Sequence, residues 1–407
     1  MKGFTKEEKK SVLGITFAIA VRMLGLFLLL PVLSPYAKSL PGSTPMLVGL
    51  AFGTYGFAQA FLQIPFGYLS DKYGRKPIIT IGMLTYVLGS FWAGFAHTAI
   101  ELVLARFVQG FGAVSSALSS LAADLTREEV RTQAFAHIGA AIGMVFAFSI
   151  VVAPIMAHYI GVPMMFYITG ILSFIAMVYI LVFIKEPKVH AKDREIHPSL
   201  KNILTLMKDK NQIMLNTSVT IAHYFLVSVF TVVPIYFIEH NFPKSHHWIV
   251  YLPTVFVALV IMVPATIIAE RKAKMKEVFL SAIFMLILGF LSFLLFRGII
   301  AGVLLILFFF IGFFLLEPIM PSLLTKLTHK DLRGLSMGFY NMNQFVGAFL
   351  GGVFGGIFLK SPKTMPIVDI VIGVIWLILT YIWLNSIKIP RSSKELDEEF
   401  IEPPGLY

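Results

Sequence analysis

The run Gly67-Tyr68-Leu69-Ser70-Asp71-Lys72-Tyr73-Gly74-Arg75-Lys76 is flanked on both sides by apolar stretches long enough to cross a bilayer. A short charged segment between two such stretches is a membrane hairpin, so the chain is read as all-helical and membrane-embedded. Composition agrees. Of the 407 residues, 57% are hydrophobic and only 14% charged, and the mean hydropathy is +0.83. That leaves too little polar surface for a water-soluble globule. Apolar segments of about 20 residues, the length that crosses roughly 30 Å of hydrocarbon, recur twelve times. They cover 11–33, 48–69, 77–97, 100–123, 133–158, 163–184, 212–238, 248–269, 278–296, 299–324, 335–359 and 366–387.

A net charge of +11 invites a nucleic-acid reading, and the placement of the charges rejects it. With the first span entering from the cytoplasm, the segments on that side hold 26 of the 33 Lys and Arg residues. The other side holds only Lys38, Lys244, Arg297, Lys360 and Lys363, and Arg22 and Arg106 fall inside spans. This is the positive-inside pattern, with both termini cytoplasmic and the bilayer as the partner. The first apolar run is too long for a cleaved leader and lacks a small-residue cleavage site, so it is expected to remain as the first span. Cysteine is absent, which excludes disulfides, thiol catalysis and thiolate metal sites. There is no G-x-x-x-x-G-K-[ST] loop to cradle a nucleotide and no Ser/His/Asp or H-E-x-x-H arrangement. Neither an enzyme nor an ATP-driven machine is indicated.

The chain divides into a six-span half over 1–187, a cytoplasmic linker over 188–211, a second half over 212–390 and an acidic tail over 391–407. The segment Asp124 to Thr132 after the fourth span echoes Lys326 to Gly334 after the tenth, offset by 202 residues and matching in type at five of nine positions. Coincidence between short amphipathic loops stands beside parallel repeats as the explanation. Gly139 and Gly143, and Gly347, Gly351 and Gly355, are spaced by four and form small-residue seams that let helices approach.

The Gly67 to Lys76 run resembles the signature loop between the second and third spans of the major facilitator superfamily, with Lys72 where arginine is usual. A second signature of that family is matched in the fourth span by Leu102, Arg106, Gln109, Gly110, Gly112 and Ala113. Arg22 to Gly25, Gln63 to Gly67, Asp124 to Glu128 and Gln344 to Gly347 are similar to the YajR-like branch of its drug:proton antiporters. Members of that branch carry a soluble carboxy-terminal domain, for which a tail of about 20 residues is too short. The fifth-span antiporter signature is only partly met: Pro154 is present, but Ala153 and Ala157 stand where glycines are usual.

The resemblance implies twelve helices in two six-helix halves, no cofactor and the proton as coupling ion. It implies a monomer in the cell inner membrane that exports small, lipophilic or drug-like compounds by alternating access. Transport of a specific metabolite such as a sugar or organic anion, or a transport-inactive sensor, are the rival readings. Gly67 and Gly74 are expected to permit a close approach and a tight turn. Asp71, Arg75, Lys76, Asp124 and Arg333 are expected to form a conformational latch with the start of the eleventh span, the rival being that the basic residues are topological anchors.

Intramembrane charges persist only for a reason. Glu317 is the first candidate for the coupling proton, with a structural partner of Arg22 as the rival role. His223 is the alternative carrier. The family implicates Arg106 in proton transfer, against a purely structural hydrogen-bond role, and Arg22 joins this group. Candidate substrate contacts are Tyr36, Tyr55, Gln59, Gln63, Tyr224, Tyr340, Asn341 and Gln344. The 38 Phe and 18 Met suit a greasy, adaptable pocket.

Overall fold

The computed structural model describes residues 3–186, 200–329 and 332–389, without the side chains of 128, 132 and 200–202. The first half of the expected linker, 188–199, and the whole of the acidic tail therefore lie outside the described residues. Every regular element among the described residues is helical. The helices are α1 (Lys6–Phe27), α2 (Leu33–Ser39), α3 (Pro45–Tyr73), α4 (Arg75–Phe95), α5 (Ala99–Gly110), α6 (Ser115–Asp124), α7 (Glu128–Tyr159) and α8 (Gly161–Phe183). They continue with α9 (Leu200–Lys208), α10 (Lys210–Glu239), α11 (Trp248–Arg271), α12 (Met275–Leu295), α13 (Gly298–Lys326), α14 (Arg333–Phe358) and α15 (Thr364–Ser386).

Eleven spans among the described residues are long and apolar enough to cross a membrane, one fewer than the twelve expected. The difference is α14. Its 26 residues suffice in length, but Asn341, Asn343, Gln344 and its glycines dilute its hydropathy. Two other spans differ in form. The first stops at Phe27 and continues through a turn into the separate α2. The fourth is broken between α5 and α6, where Phe111, Gly112 and Val114 donate to the carbonyls of Val108, Gln109 and Gly112 in tight turns. The break falls where the chain is crowded: a Cβ on Gly110 would lie 2.7 Å from Ala58 Cβ, and one on Gly112 2.7 Å from Tyr86 Cβ.

The helix starts are written in the sequence. Thr5 and Glu8 form a reciprocal capping box on α1. Thr44 caps α3 ahead of Pro45, and Thr98 caps α5 by accepting from Glu101 N at 3.2 Å. Gly74, at φ +100°, makes the turn between α3 and α4 in a conformation that L side chains rarely adopt.

The chain folds into two compact units. The first comprises Met1–Glu195, His223–Trp248 and Phe345–Lys360. Its core gathers Ile15 and Ile19 of α1, Ile79 and Met83 of α4, Leu118 and Leu121 of α6, Ile138 of α7 and Ile180 of α8. Large apolar side chains also point outward, Met144 being 68% and Phe61 66% exposed. Outward apolar groups suit a lipid solvent, in which shape-matched packing holds helices together.

In that unit α3 meets the second half of α14 along a glycine seam. A Cβ on Gly352 would lie 2.6 Å from Gly49 O and from Gly53 N, and one on Gly56 2.9 Å from Phe345 O. The opposite face of α14 meets α10, where a Cβ on Gly355 would lie 2.7 Å from Thr231 Cβ. Lys38 pairs with Glu239 at 2.7 Å, and Ser34 Oγ donates to Phe230 O at 3.0 Å. The eleventh-span seam is thus occupied. The fifth-span seam is not: a Cβ on Gly139 or Gly143 would meet nothing within 4 Å, because that face of α7 is exposed.

The second unit comprises Ile196–Ala222, Ile249–Gln344 and Ser361–Tyr407. Here α12 packs extensively on α13 and α15. Gln212 of α10 is buried and bridges two segments, donating to Thr328 Oγ1 and accepting from Ser336 Oγ, both at 2.7 Å. Trp376 of α15 donates to Ser218 Oγ at 2.9 Å.

The 202-residue echo is present in the hydrogen bonding. Thr126 Oγ1 donates to Ala122 O and Thr328 Oγ1 to Leu324 O. Arg131 donates to Thr126 O and Arg333 to Thr328 O. Each bond has its counterpart 202 positions on.

Candidate functional site

Gln63, Gln59 and Tyr55 follow one another at four-residue intervals on one face of α3, all buried. Their side chains carry a polar track through an apolar unit. Gln63 Nε2 donates to Gln59 Oε1, and Gln59 Nε2 to Tyr55 Oη, each at 3.4 Å. Arg22 of α1 joins at the middle member, Gln59. Its Nη1 donates to Gln59 Oε1 at 3.4 Å and to Gly112 O at 2.5 Å, and its Nη2 reaches Ser115 Oγ. The Gly112 carbonyl at the break in the fourth span, which accepts from Val114 N, thus takes a second donor from a buried arginine.

Arg106 of α5 joins at the Tyr55 end, its guanidinium 4.4 Å from the centre of the Tyr55 ring. Arg106 Nε donates to Ala51 O at 3.1 Å and its Nη1 to Gln109 Oε1, while Gln109 Nε2 donates to Ser90 Oγ at 2.8 Å. Arg22 is 2% and Arg106 1% exposed. Neither makes an ion pair among the described residues. A charge placed at mid-bilayer costs roughly 2.5–3.5 kcal/mol even on insertion scales, so two arginines held by neutral acceptors are a costly arrangement.

The second unit carries a separate cluster. Glu317 lies half-buried inside α13, and the buried Tyr340 of α14 stands close to both Glu317 and Gln344. Asn341 is half-buried on the same helix. The expected proton and substrate residues thus sort into Arg22, Tyr55, Gln59, Gln63 and Arg106 in one unit and Glu317, Tyr340, Asn341 and Gln344 in the other. The remaining three are Tyr36, His223 and Tyr224. Tyr36 sits on α2, where burial pushes its hydroxyl above the usual phenol range. His223 is half-buried on α10, and Tyr224 packs its ring against Phe225 and Phe354.

A second acid lies within a span-forming helix of the second unit. Asp369, one turn into α15, has no exposed surface. Its place near a helix end disguised it in the sequence, because burial of one helix face is a property of packing.

At the signature loop, Arg75 is 8% exposed and holds a three-way clamp. Its Nε donates to Asp124 Oδ2 at 3.0 Å, and its Nη1 to Ser70 Oγ at 2.8 Å and to Asp71 Oδ1. A Cβ on Gly67 would lie 3.3 Å from Ser116 Oγ, so α3 and α6 approach closely there. Arg333, in the other unit, donates from Nε to Thr325 O and Thr328 O, both at 3.1 Å. Glu186 was missed in the sequence. It accepts from the backbone of Arg75 at 2.7 Å and of Lys76 at 3.1 Å, capping α4 from 111 residues away. Lys76 Nζ returns the arrangement by donating to Leu181 O and Ile184 O at the end of α8, both at 2.8 Å. Carboxylate at a helix start and ammonium at a helix end both follow the helix dipole.

A sequence profile described as the Major Facilitator Superfamily matches residues 15–352. The chain belongs to the major facilitator superfamily. This facilitator is 35% identical over 356 residues to the inner membrane transport protein YajR of Escherichia coli strain K12, covering 86% of this chain and 78% of the relative. It is 30% identical over 181 residues to the quinolone resistance protein NorA of Staphylococcus aureus, covering 44% of this chain and 46% of that one. Among solved structures, a bacterial homologue of the human lysosomal transporter Spinster superposes with a TM-score of 0.74 at 12% identity, covering 93% and 98% of the two chains. The protein is a multi-pass membrane transporter, and its substrate is a small molecule.

Proposed function

We propose that this facilitator is a proton-coupled secondary transporter, exporting small lipophilic or drug-like compounds by alternating access, and that it works as a monomer in the inner membrane. No cofactor or nucleic acid takes part. The observation that carries this reading is the pair of polar clusters in otherwise apolar units. One is cationic, around Arg22 and Arg106. The other is built on the intramembrane carboxyl of Glu317. Permanent cations cannot shuttle a proton at physiological pH, whereas a carboxyl can. Glu317 is accordingly the proton carrier, and His223 is the alternative. The partial likeness to a quinolone resistance protein supports a drug-like cargo, and the name of the Escherichia coli relative supports the inner membrane. The Arg75 clamp, with Arg333, takes part in the conformational switch.

A gradient suffices as the energy source, since one proton crossing 100 mV releases about 2.3 kcal/mol. The test is a proteoliposome assay with an imposed pH gradient across a broad compound panel. Substrate-dependent proton movement is expected, and Glu317→Gln is expected to abolish it while substrate still binds. Coupled transport at the normal rate in that variant removes Glu317 from the mechanism.

A further inference from the structure

Among the described residues the buried carboxylates are Glu8 and Asp369, and the buried arginines are Arg22, Arg75 and Arg106. Glu8 is held by Arg127 at 2.9 Å, Asp369 belongs to the second unit, and Arg75 has its own acids. In the first unit, Arg22 and Arg106 are left as two buried positive charges joined through Gln59 and Tyr55 with no anion between them. Buried charges in folded proteins are normally paired. Arg22 is also incompletely used. Its Nε is buried without a hydrogen-bond partner, and so is Oε1 of Gln63, the next residue but one along the track. Ser115, which Arg22 Nη2 reaches, is half-buried, so the guanidinium lies one side chain from an accessible surface.

We propose that Arg22 is the recognition point for an anionic group of the transported compound, so that the cargo is an amphipathic organic anion. This rests on the reading of the chain as a transporter and adds the charge class of its substrate. A carboxylate or sulfonate matches the planar fork of a guanidinium through two parallel N–H donors, Nε and one Nη. Arg106 supplies the second positive charge of the same track, and the apolar surroundings receive the rest of the molecule. Gln63 Oε1 selects anions that carry a neighbouring donor.

The test is equilibrium binding to the purified full chain without a proton gradient. The panel consists of aromatic and alkyl monocarboxylates, with 2-naphthoate as reference probe, each beside its methyl ester and its primary-amine analogue. The carboxylates are expected to bind at least tenfold more tightly than either neutral or cationic analogue. Arg22→Gln is expected to abolish that preference, and Arg22→Lys to retain part of it through charge alone. Because Arg22→Gln also strips a donor from Gly112, the wild-type ranking decides the matter if that variant does not fold. Equal binding of all three forms, preference for the amine, binding of none, or an unchanged preference in a folded Arg22→Gln protein overturns the proposal. Selective carboxylate binding without gradient-driven proton movement instead overturns the coupling mechanism and leaves the anion site standing.

Discussion

The Arg75 clamp shows how much a single side chain decides. It ties Asp71 and Asp124 at once, but the two acids are not equivalent, being 44% and 10% exposed at their side chains. An exposed ion pair is worth about 0–1 kcal/mol. Asp124→Asn is therefore expected to lower stability by about 1–3 kcal/mol, the range for a hydrogen bond to a buried charged group, and Asp71→Asn by less. Thermal unfolding in detergent ranks the two, and an inverted order contradicts the buried role of Asp124. Glu186 is a comparable case. Glu186→Ala removes the cap from α4 and is expected to cost about 1 kcal/mol, with Glu186→Gln recovering part of it as a neutral acceptor. The cap is invisible locally, since Glu186 lies 111 residues from the helix it serves. In contrast, Thr5 with Glu8 and Thr98 with Glu101 were legible, because both members of each cap lie within one turn.

At the scale of elements, the spacing of glycines announced close approach but not its location. The Gly139 and Gly143 pair and the Gly351 and Gly355 pair have the same period, yet only the second is covered. Gly351 and Gly355 are covered by Tyr224 and Thr231 of α10, while Gly49 and Gly53 on α3, which carry the same four-residue spacing and were open to the same reading, meet Gly352 on the other face. Gly352→Ala places a methyl group 2.6 Å from Gly49 O and Gly53 N, so the seam must part. The natural absence of cysteine makes this measurable. A Lys38→Cys/Glu239→Cys pair replaces a 2.7 Å salt bridge within the same unit and is expected to be bridged in the parent by a short bis-maleimide, which spans the length of the two lost side chains. The yield is expected to fall severalfold when Gly352→Ala is added, and an unchanged yield contradicts the seam as the contact that closes this end. The broken fourth span belongs to the same scale. Gly110 and Gly112 were read as signature positions, while the second donor that the Gly112 carbonyl takes from Arg22 emerged only with α1 in place.

Across the whole molecule, the paired bonds of Thr126 and Thr328 give the repeat a physical basis, since both threonines bond back to the preceding turn. They differ in what else depends on them. Thr328→Val also leaves Gln212 Nε2 without its acceptor and is expected to destabilise by about 1–3 kcal/mol more than Thr126→Val. Equal losses from the two substitutions contradict the bridging role of Gln212. The sequence by itself determined the class of molecule, its run of membrane spans and its family. Hydropathy, charge placement and turn chemistry act over a few residues and survive in a linear reading. Tertiary structure alone decided which glycines touch, that Asp369 is buried, and that Arg22 spans 90 residues of sequence to hold the carbonyl of Gly112. Those outcomes depend on which helix faces meet. In a membrane, where lipid and core are equally apolar, the hydrophobic pattern does not tell one face from another.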